Sequence, residues 1–362
     1  MIDEQQVYQD FYNDLTKAIE GLDEADALPL PSIPEFIDEN VWDMTMKYQR
    51  MMMTTKEKFF EYLNNKIPVS EYEKAVHELW DSIDHSYMDK AIKELQMITT
   101  TRDLHNAELY ANKRVTQRSI KLQNGWEEYK LTDEKLYPLN PERDFITMEQ
   151  RYVNRHIKYY ENTLKRYSNA SSEELVKLVK QYDKIDKSVP YYDHKTGQIR
   201  CYQTIGTYNS MLYNVNLLRA SWNRTAYDSM LLDNHLWYLP AHAYACPHCM
   251  EYQGKVYTDD PRDKRYPQKE TALEGGIGHP NCKHDWTLYW SEEQIQDEKY
   301  NSAEWEEKYK AKQKIQNIDL TKSRLLADRR IYKELGDEGL VDETSARIKA
   351  LREKKKELEA QL

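Results

Sequence analysis

The sequence predicts a mainly α protein with a small α+β module, in which long helices surround a short antiparallel sheet built around a Cys/His cluster. Three observations predict it. Ten glycines in 362 residues, against 31% charged residues, leave too few tight turns for a sheet-rich fold. Apolar and aromatic side chains recur three or four residues apart over most of the chain, the period of a helix with one buried face. The exception is the stretch 237–290. These 54 residues hold three of the four cysteines (Cys246, Cys249, Cys282), four of the ten histidines (His242, His248, His279, His284) and four of the ten glycines (Gly254, Gly275, Gly276, Gly278), so reactive and turn-forming chemistry is concentrated there.

The bulk properties narrow the function classes. A hydrophobic content of 40% with 29 tyrosines is enough to build a core. The net charge of -10 is local, because residues 1–40 carry eleven Asp and Glu against Lys17 alone, and from Val41 onward the two signs cancel. A gross basic footprint for nucleic acid is absent, and a DNA contact would need a local patch. An N-terminal apolar run and a stretch of eighteen apolar residues are both missing, so neither a secretory signal nor a membrane span is expected. The thiols are expected to be reduced or metal-bound, as in a soluble protein made in a cytosol.

Taken in order, residues 1–34 form an acidic arm, with a short helical pattern (Tyr8, Phe11, Tyr12, Leu15) followed by the run LPLPSIP at 28–34, whose three prolines favour an extended tether. Residues 35–190 read as a helical region. Ile37, Val41, Met44, Tyr48, Met52, Phe59 and Leu63 share a first helical face, and the Met51-Met52-Met53 run reads as core filling, with an adaptable groove as the other use of methionine. Tyr72, Val76, Leu79, Trp80 and Ile83 follow Pro68 on a second helix, which continues with interruptions to a stop at Asn124-Gly125. Val153, Ile157, Tyr160 and Leu164 share a third face. Ser171 and Glu174 then form a capping-box signature for a helix that Pro190 is expected to end.

Residues 191–292 read as the α+β module. YYDHKTGQIRCY at 191–202 predicts a hairpin turning at Lys195-Thr196-Gly197, and Ile205 to Leu232 is the longest clean helical pattern. Arg219 and Arg224 on that helix read as solvated or salt-bridged. Trp237, Leu239, Ala241 and Ala243 alternate with Tyr238 and His242, a strand pattern that ends at Pro247. GKVY at 254–257 and Trp286, Leu288, Trp290 supply further strands for a small sheet backed by the 205–232 helix. Residues 293–362 return to helix, with Trp305 in a charged segment and Gly336 and Gly339 dividing two arms able to pair as a hairpin. The mixed charges from Arg347 to Glu359 read as a solvated face.

The chemistry lies in two short motifs. CPHC places Cys246 and Cys249 at the spacing that lets one tight turn present two thiolates to a tetrahedral ion, and HPNC places His279 and Cys282 on a second turn. Cys246, Cys249, His279 and Cys282 are thus candidate ligands of a closed structural Zn2+ site, with His284 or His248 as alternatives to His279. Reduced cysteines beside turn-bonded histidines remain the other reading. The glycines at 275, 276 and 278 read as a hinge that lets the backbone approach the cluster. The same residues admit two enzyme readings. A zinc-dependent HNH-like nuclease could use His279, Asn281 and His284, but assigning His279 to zinc removes the candidate base. A Cys-His nucleophile could pair Cys246 or Cys282 with His242 or His284, whereas thiol pairing in CPHC favours metal or redox chemistry. Walker-A and Rossmann glycine patterns are absent. The expectation is a binding protein that is not an enzyme.

The order of AHAYACPHC, EYQGKVY and GHPNCKH after a long helix and before an aromatic strand resembles tailed-phage minor capsid proteins, of the Mu-F-like minor head and phage minor capsid protein 2 types. LLADRRIYKELGD at 325–337 is similar to the helical end of such proteins, and the specific resemblance covers about 205–340. Lys283 stands where Arg is common, and many relatives lack the CPHC pair, so the zinc reading rests on this chain's own residues. The resemblance implies a head component near the portal vertex, with roles in head assembly, genome packaging, retention or delivery. It also implies the portal protein and the major capsid or scaffolding protein as partners, a contact with phage DNA left open, no membrane partner, several copies per virion, and assembly in the host cytoplasm.

Overall fold

The computed structural model describes residues 32–110, 142–167, 169–187, 189–192, 198–242, 245–296 and 302–360, with Tyr137 and Leu139. The N-terminal helical pattern around Tyr8 to Leu15, most of the proline run, the stop at Asn124-Gly125, the turn at Lys195-Thr196-Gly197 and Ala243 lie outside the described residues. The chain divides into Met1–Ser32 and Ile33–Leu362, and all elements below belong to the second unit.

The helical period becomes ten helices among the described residues. They are α1 (Ile33–Asn64), α2 (Val69–Asp81), α3 (Ser86–Tyr110), α4 (Glu142–Arg166), α5 (Ser172–Asp186), α6 (Ile205–Leu232), α7 (Lys269–Glu274), α8 (Glu293–Gln296), α9 (Ser302–Glu334) and α10 (Glu338–Glu359). Pro34 falls in the first turn of α1, where a missing N–H costs no intrahelical bond. Both parts of the capping box form at Ser171 and Glu174.

Long α1 is the axis of the body, packed by α6, α9, α2 and α5, and it buries Ile37, Met44, Tyr48, Met52, Phe59 and Leu63 as the spacing predicts. Met52 and Met53 are buried and Met51 packs against the same cluster, so the methionine run fills core. Several tyrosines serve two ends at once, with rings in the core and hydroxyls bonded, whereas the buried Tyr72 hydroxyl has no partner among the described residues. Tyr72 stacks on Tyr160 at 4.0 Å while Tyr160 donates to the Ile67 carbonyl at 2.7 Å. Tyr152 donates to Asp186 at 2.9 Å, and Tyr182 bonds His156 Nδ1 at 2.8 Å. Lys56 is fully buried and satisfied by Asp328 at 2.7 Å, which ties α1 to α9.

Among the described residues five strands form two antiparallel sheets. Strands β1 (Val189–Tyr192) and β2 (Ile199–Gln203) make the hairpin, and β3 (Leu236–Leu239), β4 (Lys255–Thr258) and β5 (Thr287–Leu288) make a sheet in the order β4-β3-β5. Pro190 sits inside β1 opposite Tyr202, and α5 ends earlier, at Asp186. A two-stranded ribbon has free edges at which a residue without N–H is tolerated. The strand after α6 stops at Leu239 and does not run on to Pro247. Trp237, Tyr238 and Leu239 are all buried, because one face of the sheet joins the main core and the other covers Tyr238 with Val256 and Tyr289. Alternating sequence therefore encodes two covered faces here.

The C-terminal arms close as a hairpin. Gly336 adopts φ +78°, the Asp337 N–H returns to the Tyr332 carbonyl at 3.0 Å, and Asp337 caps α10 by accepting from Leu340 N–H. Gly339 lies inside α10, so one glycine makes the break. Asp319 on α9 joins the arms by accepting from Lys355 on α10 at 2.6 Å, and it also accepts from Lys322 of its own helix at 3.1 Å. No helix among the described residues is long and apolar enough to cross a membrane.

Candidate metal centre

The three-stranded sheet brings two turns together. The CPHC turn leaves β3 and is closed by the Gly254 N–H on the Leu239 carbonyl at 2.7 Å. Within it the Cys249 N–H bonds the Cys246 carbonyl at 2.9 Å and a short 3-10 turn follows at Cys249–Glu251. The HPNC turn lies between α7 and β5, with the Cys282 N–H on the His279 carbonyl at 2.7 Å.

Side chains from both turns converge. His279 Nε2 lies 3.3 Å from Cys246 Sγ and 3.2 Å from Cys249 Sγ, and Cys249 Sγ lies 4.0 Å from Cys282 Sγ. Cys282 Sγ also meets His284 Nδ1 at 3.6 Å. Two overlapping groups result among the described residues, Cys246/Cys249/His279 and Cys249/Cys282/His284, with Cys249 common to both. Zinc bonds of about 2.3 Å to sulfur and about 2.0 Å to nitrogen imply tetrahedral edges of roughly 3.8 Å for S···S and 3.5 Å for S···N, close to these separations. Both groups hold thiols and imidazoles without a carboxylate, a donor set that fits a soft divalent cation. The sequence alternatives separate here. His284 is held for ligation through Nδ1, because its Nε2 meets Gln253 Oε1 at 2.9 Å. His248 is exposed and belongs to neither group, and Cys201 lies exposed on β2.

Electrostatics favour the same ion. The hydrogen bond from Cys249, helped by His279, pulls the Cys246 thiol down to about 3, whereas contacts with Cys246 and Cys282 push Cys249 up. Burial opposes ionisation of Cys282, but bonds with Cys249 and His284 hold it well below the usual thiol range. Neighbouring sulfurs that cannot all ionise alone become thiolates together when a cation sits among them. Burial, then His284 at 4.1 Å, holds His242 well below the usual imidazole value.

Support for the turns comes from residues far away in sequence. Asn214 on α6 donates both Nδ2 hydrogens, to the Pro280 and Cys282 carbonyls at 2.9 Å each, and Trp222 donates to the His284 carbonyl at 3.1 Å. From α3, Arg102 binds Asp285, donates to the Trp286 carbonyl at 2.9 Å and pairs with Asp103 at 3.0 Å. Beneath the sheet the Lys269 ammonium sits 3.2 Å above the Trp237 ring, and burial pushes its pKa down to about 7. Arg224 pairs with Asp228 at 2.8 Å with both groups buried, so it is salt-bridged and not solvated. Asn214 and Trp222 carry a sequence signal, one helical face of α6. Arg102 and Lys269 carry none.

The glycine cluster is packed and is not a hinge. Gly276 has φ +108° and a Cβ there would meet His248 Nε2 at 2.3 Å; Gly278 has φ +90° and a Cβ would meet the Trp222 ring at 2.7 Å. Gly278→Ala is therefore expected to cost about 2–4 kcal/mol, from a left-handed backbone plus a clash with a buried ring. Gly254→Ala has φ +70° but open space around it, and should cost only about 1 kcal/mol. Paired thermal unfolding curves check the difference.

Residues 185–359 match the family model described as phage minor capsid protein 2. No curated protein and no solved structure matches the chain.

Proposed function

We propose, from the match of residues 185–359 to the phage minor capsid protein 2 family, that the chain is a structural component of a tailed-phage head, seated near the portal vertex. The observation that carries this reading is the extent of the match. It runs from the last turn of α5 to the end of α10, and so takes in the Cys/His module and both arms of the C-terminal hairpin. The match supports a capsid role and a place in the virion. The portal protein and the major capsid or scaffolding protein are the proposed partners, with several copies per virion assembled in the host cytoplasm. The contribution is to head assembly, genome packaging or delivery, and any phage DNA contact is local.

In this reading Cys246, Cys249, His279 and Cys282 hold one Zn2+, with His284 as the alternative nitrogen. The ion supplies a fixed crosslink between two turns when bound. Asn214, Trp222 and Gln253 orient the turns and the His284 ring. An HNH-like nuclease needs a histidine available to activate water. Here His279 Nε2 lies between two sulfurs and His284 between Cys282 and Gln253, which favours binding over turnover.

The test is mass spectrometry of purified heads from the phage that encodes the chain, after crosslinking, with a nuclease assay on the purified protein. We expect its peptides in heads, crosslinked to the portal subunit. Absence from heads would sink the structural reading, and metal-dependent DNA cleavage would replace it with the nuclease.

A further inference from the structure

The proposed zinc set leaves two imidazoles in competition, His279 and His284, and the hydrogen bond on the far side of each ring separates their roles. A neutral imidazole carries one ring hydrogen, so a nitrogen that accepts a hydrogen bond is bare and the other nitrogen holds the hydrogen. A metal ion binds the bare nitrogen, and a ligating histidine almost always donates its other ring N–H to an oxygen. Backbone N–H groups reveal the pattern, because they only donate.

At His279 the Asn281 N–H donates to Nδ1 at 3.3 Å. That bond occupies the Nδ1 lone pair and leaves the ring hydrogen on Nε2, the nitrogen that faces Cys246 Sγ at 3.3 Å and Cys249 Sγ at 3.2 Å. Donor and acceptor both lie in the HPNC turn, so the turn itself sets this tautomer. At His284 the relation is reversed. The His242 N–H donates to Gln253 Oε1 at 3.3 Å, which identifies the amide atom at that point as oxygen. His284 Nε2 lies 2.9 Å from the same oxygen and must donate to it, so Nδ1 is bare where it faces Cys282 Sγ at 3.6 Å. The His284 ring is buried, and the residue's own N–H donates to Cys282 Sγ at 3.4 Å, so ring and sulfur are held together.

We propose that the ion is held by Cys246, Cys249, Cys282 and His284 Nδ1, and that His279 stands outside the coordination sphere, donating Nε2–H to the Cys246 and Cys249 thiolates. Cys249, Cys282 and His284 already lie within reach of one ion, and Cys246 joins them from the same turn as Cys249. Three thiolates and a neutral imidazole around a dication leave an excess of negative charge on the sulfurs. A charge-assisted N–H bond to two of them offsets part of it. His279 is thus a positioning residue of the centre. The assignment rests on the zinc reading above and deepens it by separating ligand from support.

The experiment loads the full chain, carrying isotope-labelled histidine rings, with an NMR-active cadmium isotope in place of zinc, and records which ring nitrogen couples to the metal. Coupling to a histidine Nδ1 is expected. Coupling to Nε2, or bound cadmium coupled to no histidine, would overturn the assignment and leave a metal centre standing. A chain that binds no cadmium and no zinc would overturn the assignment together with the zinc reading. In His279→Gln, whose amide still donates towards the sulfurs, the Nδ1 coupling should persist, with affinity lowered by no more than about 100-fold. A folded His279→Gln chain that has lost the coupling would make His279 the ligand and overturn the proposal.

Discussion

Stripping zinc from the purified chain with a chelator is expected to lower its melting temperature by roughly 10 °C, and Cys249→Ser should reproduce the loss. A metal present at about a thousandfold over its dissociation constant stabilises the folded state by about 4 kcal/mol, and a unit of this size shifts a few degrees per kcal/mol. Cys249 is the most sensitive position because it alone belongs to both ligand groups and is 1% exposed. A serine there gives up a soft ligand and leaves Cys246 and Cys282 without the shared sulfur. Incorporation into heads should fall with stability. Elemental analysis of the wild type, unfolding with and without chelator, and head composition for the variant are the measurements. A zinc content near zero, or an unchanged melting temperature in Cys249→Ser, would remove the structural ion and leave two turns held by hydrogen bonds.

Arg102→Leu is expected to cost about 3–5 kcal/mol, a loss comparable to that of the metal, although the residue lies on a helix far from both turns in sequence. The guanidinium is the counter-charge for Asp103 and Asp285, both essentially buried, and it also bonds Thr225 Oγ1 at 3.2 Å and the Trp286 carbonyl. Ser221 donates to Asp285 at 2.6 Å and Thr287 to Asp103 at 3.2 Å, so these carboxylates keep some support but lose their positive partner. Burial already raises Asp103 in the wild type despite Arg102. Without the arginine the Asp103 carboxylate should bind a proton still more readily folded than unfolded. Stability is then fully present below the unfolded value and lost as pH rises through the folded one. The deficit of Arg102→Leu should therefore shrink as pH is lowered from about 7 towards about 5, which denaturant titrations at the two values would show. A pH-independent deficit would mean that lost packing, and not uncompensated charge, dominates. Adding Asp103→Asn and Asp285→Asn should restore part of the loss.

The two perturbations differ in how far they could be anticipated. The four candidate ligands were readable because CPHC and HPNC are local motifs, whose two- and three-residue spacings constrain a turn before any tertiary contact forms. The same locality explains why the 205–232 pattern became α6 with those bounds, and why Ser171 and Glu174 formed their box. Composition, likewise, was enough for long helices, since few glycines and a persistent helical period act residue by residue. The ordering of these pieces in space was not encoded locally. Strand order β4-β3-β5, the two covered faces at Tyr238 and the placement of Pro190 inside β1 depend on what packs against each strand, information that alternation alone lacks.

What the residues determined alone was the long helices of the described body, the CPHC and HPNC turns and the resemblance to phage minor capsid proteins that the match over 185–359 supports. Tertiary structure alone decided the pairings of charges and amides: Arg102 with Asp285, Asn214 with the HPNC turn, and Lys283 and Lys312 on Asp38. The reason is range. Caps, periods and turn spacings act over a few bonds of chain, whereas a buried charge pairs with whichever opposite charge the packed helices bring within about 3 Å, and sequence separation places no limit on that choice.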